Sequence, residues 1–262
     1  MHKRLRTLPR NEHGRDLVVG DLHGSVRLLE SELARISFDP AHDRVIAVGD
    51  LVDRGPDGAD IDHLLLQPWF YSVLGNHDVS FAARLIVPAD WVRWEMPHFH
   101  RWAASLDGDH IERLRHLIAK LPWALEVDTE IGLVGIVHAE VPMGFESWRD
   151  FTEALNDPSS TELRWQALTN RELHSFANPV EGAHADSSEE RIQRPGSVHL
   201  NGVAHVIHGH DPAFDRRIHR LDNRYWIDCA GWEVACRPDT AEQAEHPPRL
   251  AIVDARDPGV PL

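Results

Sequence analysis

Val45-Ile46-Ala47-Val48-Gly49-Asp50-Leu51-Val52-Asp53-Arg54-Gly55 is an apolar run that reaches a glycine and turns abruptly into carboxylates and an arginine. The run reads as a buried strand, with its polar residues just past the carboxyl end. The same design recurs on either side in sequence. Leu17-Val18-Val19 leads into Gly20-Asp21-Leu22-His23-Gly24, and Tyr71-Ser72-Val73-Leu74 leads into Gly75-Asn76-His77-Asp78. In open α/β sheets, ligand sites form outside the carboxyl ends of the strands. Glycines beside the polar residues permit sharp turns and close approach of backbone to a small ligand.

Two later runs repeat the pattern. Leu133-Val134-Gly135-Ile136-Val137 enters His138-Ala139-Glu140, and His205-Val206-Ile207 enters His208-Gly209-His210-Asp211. Asp21, His23, Asp50, Asn76, His138 and one of the late histidines then converge at one edge. Carboxylate, imidazole and amide oxygen without thiolate suit Mn²⁺, Fe or Zn²⁺ and argue against a structural cysteine-rich zinc site. The set is too large for one ion. Two ions about 3.5–4 Å apart, bridged by one carboxylate, form the arrangement known for phosphoester hydrolysis. Singly, each Asp reads as a helix cap and each Gly as a turn; those readings leave the recurrence at five strand ends unexplained.

The ordered string GDxHG, GDxVDRG, GNHD, a strand ending in His, then GH resembles the calcineurin-like metallophosphoesterases. It is closest to the PPP-type phosphoprotein phosphatases of bacteria and phages, the lambda phosphatase group, over about Leu17 to Asp254. The resemblance implies an α/β fold: a metallophosphoesterase four-layer α-β-β-α sandwich with two mixed β-sheets. It implies that Asp21 and His23 bind a first metal, that Asp50 bridges, and that Asn76, His138 and His210 complete a second. His208 is the competitor for the last place. The resemblance also makes His77 the general acid, Asp53 its orienting carboxylate and Arg54 a phosphate-gripping fork. A second phosphate-binding arginine is carried to Arg171, within Trp165 to Glu172, with Arg164, Arg191 and Arg194 as competitors. Two divalent ions are implied, Mn²⁺ first and Fe or Zn²⁺ as alternatives, with a metal-bridging hydroxide as nucleophile.

The expected activity is metal-dependent phosphoester hydrolysis by a serine/threonine protein phosphatase with possible dual specificity. The substrate is then a phosphoprotein or a small phosphate ester. A symmetrical diadenosine tetraphosphate hydrolase is the alternative, because it shares the N-terminal motifs. A non-catalytic phosphoprotein-binding scaffold is the third reading; it conflicts with a complete set of ligands.

Length and composition suit one domain over residues 1–262, with residues 1–15 as a flexible, basic lead-in. The chain carries 27 basic and 42 acidic residues, a formal charge of −15, which argues against nucleic acid as a partner. No apolar segment is long enough to span a membrane, and the basic N-terminus lacks the apolar stretch of a secretory signal. Cys229 and Cys236 read as free thiols in a reducing compartment, so the expected location is cytoplasmic.

Helices are expected over Ser25–Ile36, Asp57–Leu66, from Asp78 towards Pro88, and over Asp109–Leu121, the last capped by Asp109. The second half reads as β-rich. Asn178–Ser197 and Arg237–Pro248 read as long surface loops. Histidines outside the motifs, His100 and His174 among them, read as surface or packing residues. Trp91, Trp94, Trp102, Trp226 and Trp232 read first as core.

Overall fold

The computed structural model describes residues 4–87, 100–178, 198–236 and 249–262. Trp91, Trp94, Arg191, Arg194 and nearly all of the two expected long loops lie outside the described residues.

Eleven strands form two sheets among the described residues: β1 (Leu5–Leu8), β2 (Asp16–Val19), β3 (Arg44–Ala47), β4 (Phe70–Ser72), β5 (Ala124–Thr129), β6 (Gly132–Val137), β7 (His205–His208), β8 (His219–Leu221), β9 (Arg224–Trp226), β10 (Ile252–Asp254) and β11 (Asp257–Pro261). One sheet runs β11-β10-β2-β3-β4, the other β1-β5-β6-β7-β9-β8. Both are mixed. β2, β3 and β4 are parallel in the first, and β6, β7 and β9 are parallel in the second. Antiparallel strands flank each parallel trio.

Strand alternation sorts the side chains into layers. Val18, Ile46, Leu125, Val127, Val134, Ile136 and Ile207 belong to one buried cluster drawn from both sheets. Their neighbours Leu17, Val19, Val45, Ala47, Val137 and Val206 belong to another, shared with helical residues such as Leu29, Ile61, Leu114, Phe151 and Leu155. A strand with both faces covered needs a continuous apolar run rather than alternation, as β2 and β3 have. The result is the expected α-β-β-α sandwich.

The helices are α1 (Val26–Arg35), α2 (Ile61–Leu65), α3 (Asn76–Phe81), α4 (Ala83–Ile86), α5 (Gly108–Ile118), α6 (Trp148–Asn156), α7 (Thr161–Thr169), α8 (Glu172–Ala177) and α9 (Gly231–Ala235). Three readings change. Leu5–Leu8 of the expected lead-in is edge strand β1, in parallel register with Ala124–Val127; Leu8 is buried between the sheets. Asp107, not Asp109, caps α5, accepting from the His110 N–H at 2.8 Å. Helices α6 to α8 occupy part of the half read as β-rich. Ser147 caps α6, and Trp148, Phe151, Thr152 and Leu155 line its buried face at helical spacing.

No described helix is long and apolar enough to cross a membrane. Cys229 and Cys236 are both unpaired.

Candidate active site

The carboxyl ends of β2, β3, β4, β6, β7 and β9 meet at one edge of the sandwich. Gly49 (φ +104°) and Gly75 show how closely. A Cβ on Gly49 would collide with the Gly75 backbone, and one on Gly75 with the Asp50 carboxylate. Several polar residues there also take left-handed backbone: His23 (φ 42°), Asp50 (48°), Asp53 (74°), Arg54 (67°) and His210 (70°). Such strain persists only where surrounding structure enforces it, and it collects at functional sites.

Asp50 lies at the centre. His23 Nε2 is 3.6 Å from one of its oxygens, Oδ2, and His138 Nε2 is 3.4 Å from the other, Oδ1. His23 Nδ1 hydrogen-bonds the Val52 carbonyl at 3.1 Å, and His138 Nδ1 the Val48 carbonyl at 2.8 Å. Those bonds fix both tautomers and leave each Nε2 lone pair facing inward, as a metal ligand requires. Asn76 Oδ1 lies 3.1 Å from His138 Nε2 and 2.9 Å from His210 Nδ1. Asp21 lies 3.9 Å from His23 Nε2 and accepts from the His210 N–H at 3.1 Å. The six residues expected as ligands thus share one buried cluster. His208 points elsewhere: its Nδ1 is 3.2 Å from the Val137 carbonyl, and its ring lies against Trp226.

The donor set fits two cations. Two groups have ligand atoms within 4.8 Å of one another: His23, Asp50 and His77, and Asp50, His138 and His210. They share Asp50, as a bridging carboxylate would. The electrostatics agree. Burial, then the charge of Asp228, holds the Asp21 pKa well above the usual carboxylate range. Burial, then Asp50, raises Asp78 to about 7. Asp228 rises to about 6, through burial and Asp50 against opposing hydrogen bonds. Burial would depress His138, but Asp50 and Asp21 outweigh it and raise it to about 9. Packed carboxylates that resist ionisation together call for cations among them.

His77 adjoins this cluster. Its N–H donates to Asp50 Oδ1 at 2.9 Å, its Nδ1 meets Asp53 Oδ2 at 2.6 Å, and its Nε2 lies 3.3 Å from Arg54 NH2. Asp78 ties the loops together, accepting from the Gly75 and Leu51 N–H groups at 2.9 Å each. Arg171 reaches the opposite side. It is the N-cap residue of α8, donates to His210 Nε2 at 3.3 Å and pairs with Asp211 at 2.9 Å. Glu140 seats that helix by accepting from the Leu173 and His174 N–H groups at 3.0 and 2.7 Å. The competitor Arg164 instead donates to the Ser160, Asp157 and Pro158 carbonyls.

Four residues read as packing prove to be part of the site's scaffolding. His100 Nδ1 and Trp102 Nε1 both meet Asp53 Oδ1, at 2.9 and 2.6 Å. His174 Nδ1 meets Asp211 Oδ2 at 2.6 Å. Trp232 lies 4.2 Å beneath the Arg54 guanidinium, edge-on to His23, and its indole donates to Asp228 Oδ1 at 3.2 Å. None of these four belongs to a motif.

The chain belongs to the calcineurin-like phosphoesterase family, whose pattern matches residues 15–214. It is a metal-dependent phosphoester hydrolase. Over 214 residues it is 38% identical to serine/threonine-protein phosphatase 2 of Escherichia coli (strain K12), a match covering 80% of this chain and 85% of that protein. A symmetrical bis(5'-nucleosyl)-tetraphosphatase of Serratia proteamaculans (strain 568) is 43% identical over 68 residues, covering 25% of this chain and 24% of that protein. Among solved structures, a candidate diadenosine tetraphosphatase superposes with a TM-score of 0.56 at 24% identity, covering 96% of this chain and 93% of that one. At that identity the likeness speaks for the fold alone.

Proposed function

We propose that this chain is a protein-serine/threonine phosphatase in which Asp21, His23, Asp50, Asn76, His138 and His210 hold two divalent ions, Mn²⁺ first among candidates. The observation that carries the reading is the pair of arginines on opposite sides of one buried ligand cluster, Arg54 beside His77 and Arg171 beside His210. Two planar forks facing a cationic centre suit the oxygens of a single terminal phosphoryl group. The extended match to a bacterial protein phosphatase supports the same substrate class.

Two ions in these positions would lower the pKa of a water between them and draw in the phosphoryl oxygens. The chain's own residues do the rest. Asp53 holds His77 by Nδ1, leaving Nε2 to give a proton to the departing serine or threonine oxygen. Arg54 rests on that Nε2 and turns onto the phosphate when substrate enters. Asp211 holds Arg171 in position on the other side.

A symmetrical dinucleoside tetraphosphatase is the second reading, favoured by the short match to such an enzyme. The deciding experiment compares kcat/KM for a phosphoserine peptide and for diadenosine tetraphosphate on Mn²⁺-loaded protein. A clear preference for the peptide is expected; preference for the dinucleotide would transfer the same chemistry to nucleotide cleavage.

A further inference from the structure

Away from the ligand cluster, a cavity of about 660 Å³ opens between the end of α1, the turn before β8 and strands β10 and β11. Arg35, Arg216, Arg217 and Arg249 line it, over a floor that includes Ile218 and Leu250. Among the described residues, no Asp or Glu side chain lines it. That composition runs against the chain, whose formal charge is −15. Cations on an acidic protein ordinarily find carboxylates. Here the guanidinium groups of Arg216, Arg217 and Arg249 enter no ion pair with a described residue. Asp215 feels the charge of Arg217, but His219 Nε2 engages its oxygens at 3.1 and 3.2 Å. Arg35 alone is partly satisfied, by Glu32 at 2.8 Å and the Leu262 carbonyl at 2.6 Å.

The turn that presents the pair is itself strained. Arg216 takes left-handed backbone at φ 59°, a costly choice for a long side chain. It places consecutive arginines in the lining, together with Cys229 and Gly231, which lie in sequence between Asp228 and Trp232 of the ligand cluster's surroundings.

We infer that this cavity binds a small organic phosphate, one with phosphate groups on an apolar or aromatic body. Guanidinium forks match phosphate oxygens two at a time, and the apolar floor takes the body. The volume falls within the roughly 300–1,000 Å³ of small-molecule sites. A long polyanion would also meet the chain's net charge of −15, so the patch favours a compact ligand. The site is distinct from the ligand cluster, because none of the six expected metal ligands lines it.

The test is calorimetric titration of the metal-loaded full chain with adenylyl imidodiphosphate at low ionic strength. Four proteins are compared: wild type, Arg216→Glu/Arg217→Glu, Arg216→Gln/Arg217→Gln and Arg54→Ala. The charge-reversed pair should lose affinity by about tenfold or more, a change of about 1.4 kcal/mol, yet keep its kcat for p-nitrophenyl phosphate within about twofold. The Arg54 variant should bind the analogue as wild type does. The milder Arg216→Gln/Arg217→Gln pair should fall between. Undiminished binding by the reversed pair, or binding lost only with Arg54→Ala, would put the nucleotide in the catalytic centre and overturn the inference. So would hexaglutamate binding as tightly as the nucleotide analogue, since charge alone would then be recognised.

Discussion

His77 and His100 grip opposite oxygens of one carboxylate: His77 Nδ1 lies 2.6 Å from Asp53 Oδ2, and His100 Nδ1 lies 2.9 Å from Asp53 Oδ1. Burial opposes ionisation of Asp53, but the bonds from His100 and His77 outweigh it and lower its pKa to about 2. The carboxylate is therefore charged and held from both sides. Asp53→Asn should lower kcat on a phosphoserine peptide by about 10²-fold or more, the usual worth of a general acid. p-Nitrophenyl phosphate, whose leaving group needs no proton, should lose far less. His100→Gln should show the same asymmetry at smaller size. The ratio of the two kcat values is the measurement; equal losses on both substrates would remove His77 as the acid.

Asp50 faces His23 with one oxygen and His138 with the other. Asp50→Asn should reduce Mn²⁺ uptake from two ions to one or fewer, counted by calorimetry. It should cost more than about a hundredfold in kcat, since metal charge stabilisation is worth several kcal/mol. Normal turnover with a full metal complement would contradict the bridging role.

Removing metal should destabilise the fold, because the buried carboxyls of Asp21, Asp78 and Asp228, all held above the usual carboxylate range, then crowd around Asp50 with only His138 to offset them. Ligand at a hundred times its Kd contributes about 2.7 kcal/mol, which at 2–4 °C per kcal/mol is about 5–10 °C in Tm. Scanning fluorimetry with Mn²⁺ and with chelator should show that difference. In chelator, Asp50→Asn should melt no higher than wild type, because Asp50 is the carboxylate that His138, His77 and His23 hold ionised against burial.

Trp232 carries the Arg54 guanidinium on its ring at 4.2 Å. Such a contact is worth about 0.5–2 kcal/mol. Trp232→Leu should raise KM about 2- to 30-fold while kcat changes little. A loss confined to kcat would show that Arg54 does not depend on the indole for its placement.

Arg15 and Asp43 pin the approach to β2 to the approach to β3. Asp43 accepts from the Arg15 backbone N–H at 2.8 Å, from its guanidinium at 2.5 Å, and from the Asp39 N–H at 3.0 Å. Burial would raise the Asp43 pKa, yet these bonds hold it below the usual value. A carboxylate whose folded pKa is lowered stabilises above its unfolded pKa, and that stability fades as pH falls through the folded pKa. Asp43→Asn should lower Tm by about 2–6 °C at pH 7, for about 1–1.5 kcal/mol of lost charged hydrogen bonding. The gap to wild type should narrow below about pH 4; a gap unchanged with pH would mean that the charge contributes nothing.

Much of the candidate site was legible before any coordinates, for a local reason. Each ligand sits one to four residues past an apolar run, and a run such as Val45–Val48 has few ways to bury itself other than as a central strand. Once Leu17–Val19, Val45–Val48 and Leu133–Val137 are strands, Asp21, Asp50 and His138 must lie at strand ends, and parallel pairing brings those ends together. The helices of the second half were harder to read, because α6 to α8 are short and α7 lacks a one-sided apolar stripe. Strand β1 was hidden by its flanking arginines, since an edge strand needs only one buried side chain, Leu8, to hold its place. The scaffolding of the site was beyond local reading altogether. His100 lies 47 residues from Asp53, and His174 lies 37 from Asp211. Trp232 and Arg54 come from opposite ends of the chain. Spacing along the chain encodes which residues follow a strand. Only the packing of the two sheets and their surface helices decides which distant imidazole, indole or guanidinium arrives beside them.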